Sequence, residues 1–159
     1  MIQHFIKTVI IFLFLTLFQL TVIPLISIYN VVPDLLLILV VIYSLKYGQL
    51  KGTVFGFLVG LFFDLFSGGL LGSAMFSKTL AGFVAGYFHK EEFEEIFSNL
   101  ILFISILFIS ALIDSLFYAI LGSAEVELNF ILLIFTNGVF PAVYTALFGL
   151  AYSLFVRKK

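Results

Sequence analysis

From Gly48 to Asp64 the chain reads GQLKGTVFGFLVGLFFD, with glycine at every fourth position, 48, 52, 56 and 60, and Asp64 on the next step. In water, each glycine in a helix interior costs up to about 1 kcal/mol relative to alanine. A segment with four of them is helical only where bare backbone is an advantage. Within a bilayer it is one, because small residues let helices approach closely, and that packing replaces a hydrophobic drive that lipid cannot supply. A four-residue step turns a helix through about 400°, so the stripe drifts only about 40° per step. Gly52, Gly56 and Gly60 therefore line one slowly winding groove that ends in the Asp64 carboxylate. The groove reads either as a helix-packing face closed by an interfacial acid, or as a docking face whose acid is functional.

The rest of the chain sets the class. It is 63% hydrophobic and 11% charged over 159 residues, far from the quarter charged of a soluble domain. Runs such as LLLILVVIY do not alternate as the strands of a membrane barrel would. The expectation is an all-α, polytopic membrane protein of one domain, with six spans at about 8–23, 30–45, 50–66, 70–88, 97–121 and 129–156. Thr8–Ile23 is followed by Pro24 and further apolar residues instead of a cleavage site, so it reads as a retained span. Pro33 is placed to open the second helix. That span is short, and either borrows residues 26–32 or lies where neighbours cover it.

Six spans bring both termini to one side. Lys7, Lys46, Lys51, Lys90, Arg157, Lys158 and Lys159 then all face the cytoplasm, seven of the eight basic residues. That asymmetry satisfies the positive-inside rule, and places both termini on the cytoplasmic side. HKEEFEE at 89–95 reads as a solvated loop or interfacial helix start.

Two further small-residue ladders follow the first. Ala74, Gly82 and Gly86 form one, with Lys78 on the missing rung; Asn137, Pro141, Thr145, Gly149 and Ser153 form the other. Pro141 should kink the last helix, because its ring removes a backbone donor. Two ladders meeting would satisfy each other. A third left over would be a face for a partner's membrane helix.

The topology gives four ionisable residues a common depth. Asp34, Asp64, Lys78 and Asp114 all fall in the outer half, Lys78 and Asp114 about 10 Å below the surface at 1.5 Å per residue. A lone charge at mid-membrane costs about 2.5–3.5 kcal/mol on insertion scales, so Lys78 is expected to pair with Asp114 or Asp64. The cluster serves either as a structural lock or as a polar cavity opening outward. Nothing else in the sequence carries chemistry. There is no phosphate-binding loop, dinucleotide fingerprint, zinc-protease motif or nucleophile elbow, and no cysteine. No enzyme activity, cofactor, metal or nucleic-acid partner is expected.

Pro33-Asp34-Leu35-Leu36, the block Gly56-Phe57…Gly60…Asp64-Leu65…Ser67-Gly68, and Leu71-Gly72 together resemble the rod shape-determining protein MreD family. Asp114, Asn137-Gly138-Val139 before a proline, and the basic tail are similar too, so the resemblance runs over almost the whole chain. Lys78 departs from it, since a small or apolar residue is expected there. The resemblance implies a non-enzymatic scaffold subunit of the bacterial cell-elongation machinery. It would bind an MreC-like bitopic protein and connect MreB filaments with RodA and its penicillin-binding protein in lateral peptidoglycan synthesis. It also implies a fold similar to the substrate-binding subunits of energy-coupling-factor transporters. The alternative function is therefore a substrate-binding membrane subunit for vitamin-type uptake.

Overall fold

The computed structural model describes residues 12, 14–28, 31–90, 96, 98–122 and 134–157. Its elements in order are α1 (residues 14–21), a 3-10 turn at Ile23–Ile26, α2 (Leu35–Tyr47), α3 (Gln49–Ser67), α4 (Ser73–Tyr87), α5 (Leu100–Gly122), a π-helical turn at Ile134–Val139, and α6 (Phe140–Arg157). The fold is all-α. Among the described residues, three segments are long and apolar enough to cross a membrane: α3, α5 and Ile134–Phe155. His4, Lys7, the acidic part of the 89–95 run, the turn at 123–128, the start of the last expected span and Lys158-Lys159 lie outside the described residues.

Helices α2 and α4 are shorter, at 13 and 15 residues, or about 20 Å at 1.5 Å per residue. Both are shielded by their neighbours. Leu36, Leu37, Ile38, Val40, Val41, Ser44 and Leu45 of α2 are buried, so it is covered by other helices and not extended through residues 26–32. The outer surface is the reverse of a soluble protein's: Leu25, Leu50 and Ile101 are each about four-fifths exposed. In water such a surface would drive aggregation; against lipid tails it is the low-energy surface.

Asp34, not Pro33, starts α2. It occupies the N-cap with extended backbone, and its carboxylate accepts the Leu37 N–H at 2.9 Å. Proline at the preceding position favours that extended entry without contributing a helical residue. One residue, Gly48, ends α2 and begins α3, with φ of 89°, a conformation that a side chain would strain. His89 closes the same junction. Its Nδ1 lies 2.6 Å from the Leu45 carbonyl; a carbonyl only accepts, so Nδ1 carries the proton.

Helices α3 and α4 pack backbone to backbone. A Cβ added at Gly56 would strike the Lys78 carbonyl, at Gly60 the Ala74 carbonyl, at Gly82 the Gly52 carbonyl, and at Gly86 the Gln49 backbone. The first two ladders thus face each other, rung against rung, while Gly52 also abuts Ser44 of α2. Of the third ladder, Thr145, Gly149 and Ser153 are buried, Gly149 against Leu107 of α5, whereas Asn137 is exposed. Of the two readings, the meeting of two ladders within the chain is the one seen for α3 and α4.

Around Pro141 the chain adopts the π-helical turn at Ile134–Val139 before α-helical spacing resumes. Proline offers no N–H to the turn before it, and a shift of register is one way to absorb the loss. Ser115 of α5 donates to the Gly138 carbonyl at 2.8 Å, bracing the irregular turn from outside.

These contacts grade the cost of a methyl group. Gly56→Ala meets rigid backbone and should destabilise the protein by about 1–3 kcal/mol. Gly149→Ala meets the movable end of Leu107 and should cost less. Gly122→Ala, with nothing within 4 Å among the described residues, should fall within about 0.5 kcal/mol of wild type. Thermal unfolding of the three variants in one detergent checks the order 56, 149, 122.

Candidate functional site: a buried ion cluster beneath a polar cavity

Helix α4 places Lys78 on the rung that touches α3, and from there its side chain crosses the bundle. The ammonium pairs with Asp34 at the N-cap of α2 and with Asp114 of α5, the latter at 3.0 Å. The Lys78 and Asp114 side chains are only 3% and 6% exposed, whereas that of Asp34 is 25% exposed. Ser77, one residue earlier on α4, donates to the second oxygen of Asp114 at 2.7 Å. The Lys78 ammonium also lies 5.8 Å from the centre of the Phe63 ring, within cation–π range.

The surroundings of Asp34 are held by residues far away in sequence. Gln19 donates to the Pro33 carbonyl at 2.9 Å and accepts the Leu35 N–H at 3.0 Å. The hydroxyl of Thr145 on α6 accepts the Asp34 N–H at 3.0 Å. Five elements, α1, α2, α4, α5 and α6, therefore converge on one cluster. The N–H groups of Asp34, Leu35 and Leu37 at the start of α2 are satisfied there as well, as a helix end in an apolar setting requires.

Asp64 is not part of the ion cluster, which corrects the expected Lys78–Asp64 alternative. Its carboxylate accepts from the backbone N–H groups of Gly72 at 2.9 Å, Ala74 at 3.1 Å and Met75 at 3.0 Å. Gly72 at the N-cap of α4 has no side chain to offer and a φ of 106°. Asp64 thus acts as that cap from across the turn, favoured by the positive end of the helix dipole. With three donors around it, the acid is built into the α3–α4 hairpin.

Above the cluster lies a cavity of about 500 Å³, with Asp34, Lys78, Asp114, Tyr118, Asn137 and Pro141 among its lining. Gly69, Leu70 and Gly122 also line it, at the end of the bundle where α3 turns into α4 and α5 stops. Sequence reasoning grouped Asp34, Asp64, Lys78 and Asp114 and expected Asp114 or Asp64 as the partner of Lys78; it missed the Asp34 pairing and the support from Gln19, Ser77 and Thr145. Polar residues on otherwise apolar helical faces were the available signal. Nothing in the structure explains Ser110, whose buried hydroxyl has no partner among the described residues.

Removing one member of a buried ionic cluster strands its partners, at a cost of about 3–5 kcal/mol. Lys78→Met alone, leaving two carboxylates facing each other, should destabilise the protein by about that amount. The triple variant Lys78→Met, Asp34→Asn, Asp114→Asn should recover more than half of the loss. Unfolding midpoints in detergent measure both.

No curated protein and no solved structure matches the chain. The family comparison does: the sequence matches rod shape-determining protein MreD over residues 1–158. The match includes every residue of the ion cluster and of the paired ladders. The chain belongs to the rod shape-determining protein MreD family.

Proposed function

We propose that the chain serves rod-shape determination as a non-catalytic membrane scaffold, binding an MreC-like bitopic protein and so supporting lateral peptidoglycan synthesis. Through that partner it connects with MreB filaments, RodA and its penicillin-binding protein. It sits in the bacterial cytoplasmic membrane as six spans, with both termini cytoplasmic. The observation that carries this reading is the family match across residues 1–158. The internal construction supports it. The glycines of α3 and α4 and the capping carboxylates of Asp34 and Asp64 are engaged within the subunit, and the outer surface carries large apolar side chains. With the glycines of α3 and α4 facing each other, the partner's helix would meet the larger apolar side chains of the outer surface.

A second reading, a small-molecule uptake subunit similar to those of energy-coupling-factor transporters, draws on the cavity alone. Its volume lies within the range of ligand pockets, about 300–1,000 Å³.

Depletion of the chain in a rod-shaped host should produce rounded cells, and a tagged copy should restore the rods while co-purifying with the MreC-like protein. Rods restored by a copy that retains no such partner would overturn the scaffold reading. Topology is checked with single cysteines at Ser67 and Lys159. A membrane-impermeant reagent applied to spheroplasts should label the first and not the second.

A further inference from the structure

We infer that the cavity above the ion cluster binds an organic cation bearing a primary ammonium, as found in an ethanolamine headgroup or a free amino alcohol. This stands apart from the partner reading, because the charged groups it draws on all belong to this chain.

The sign of the charge comes first. Among the described residues lining the cavity, the formally charged ones are Asp34, Asp114 and Lys78. Two carboxylates and one ammonium give −2 + 1 = −1. A net charge in an apolar body is costly unless something of opposite sign reaches it. The surplus is not shared equally. Lys78 is 3% exposed and engaged by carboxylates on two sides, Asp114 is 6% exposed, and Asp34 is 25% exposed. The negative charge is therefore presented to the cavity at Asp34. Its Oδ1 accepts one backbone N–H and its Oδ2 takes Lys78, yet each carboxylate oxygen offers two lone-pair sites. An entering cation finds acceptors still available. An entering anion meets Asp34 before it can reach Lys78.

The lining then selects the kind of cation. A quaternary ammonium has no N–H and is held by aromatic cages. Here the aromatic lining is Phe63 and Tyr118, and Phe63 already faces Lys78. The other polar lining residues, among them Ser73, Ser115, Thr136 and Asn137, bear oxygen, and the remainder of the wall is apolar. Acceptors around a carboxylate suit a group with three N–H donors. A cavity of about 500 Å³ has room for a headgroup with hydroxyl or phosphoester atoms attached.

The test uses the full chain reconstituted with equimolar phosphatidylethanolamine, phosphatidylcholine and phosphatidylglycerol of matched acyl chains, read by native mass spectrometry. Retained ethanolamine lipid should exceed choline lipid by about tenfold, the value of one charge-assisted hydrogen bond. Asp34→Asn, which keeps a good N-cap, should abolish that preference. Ethanolammonium chloride added to lipid-free protein in a neutral detergent separates the sources. Saturable binding that depends on Asp34 assigns the site to free amines, and its absence alongside lipid selectivity assigns it to headgroups; both support the amine chemistry. Equal retention of ethanolamine and choline lipids, without binding of the free amine, would overturn the inference. So would a preference for phosphatidylglycerol, or selectivity that survives in a folded Asp34→Asn. Should that variant fail to fold, the three-lipid comparison on the wild type decides alone.

Discussion

A lysine ammonium in the middle of a helical membrane bundle must have carboxylates beside it, and here that requirement fixes where three helices stand. Lys78 comes from α4, Asp34 from the entry of α2, and Asp114 from α5. For the ammonium to reach both acids, the α2 N-terminus must lie against α4 and α5 at one level. Gln19 and Thr145 then tie α1 and α6 to the same point. The cluster acts less as a source of net stability than as a specification: buried pairs often contribute little, but misplacing one member is expensive. An apolar bundle in lipid has few other ways to choose one arrangement among many similar ones, since leucine against leucine resembles leucine against lipid.

Close packing supplies the second constraint. Carbonyls of one helix rest where the glycines of the next have no side chain, so α3 and α4 approach more nearly than larger residues would allow. That approach lets Asp64, at the far end of α3, reach the first N–H groups of α4. The acid at the end of the ladder and the glycines along it are one device. The ladder sets the distance, and the carboxylate uses that distance to cap a helix whose own N-cap, Gly72, has no side chain to offer.

Helical class and the shared depth of Asp34, Lys78 and Asp114 were legible because both follow from period and span arithmetic. The pairing was only half legible. Depth along the membrane places Asp64 as well as Asp34 near Lys78, and sequence spacing carries no information about azimuth around the bundle. What separates the two acids is local: Asp34 heads a helix whose start faces the core, whereas Asp64 ends a helix beside an uncapped successor. Which ladders meet within the chain was not legible for a related reason. A stripe of small residues reports that something comes close, and not whether it belongs to the same chain. Gln19 was visible as a polar interruption, but its partners at Pro33 and Leu35 depend on how α1 docks.

The account rests on one ammonium shared between two acids, and that can be seen directly. With 15N at lysine Nζ and 13C at aspartate carboxyl carbons in protein reconstituted in lipid, rotational-echo solid-state NMR measures the Lys78 Nζ to carboxyl distances, assigned by Asp34→Asn and Asp114→Asn. Charge-assisted contact predicts two carboxyl carbons at about 3.5 Å. A single short distance, or a contact to Asp64 instead of Asp34, would contradict the shared cluster and the helix arrangement built on it.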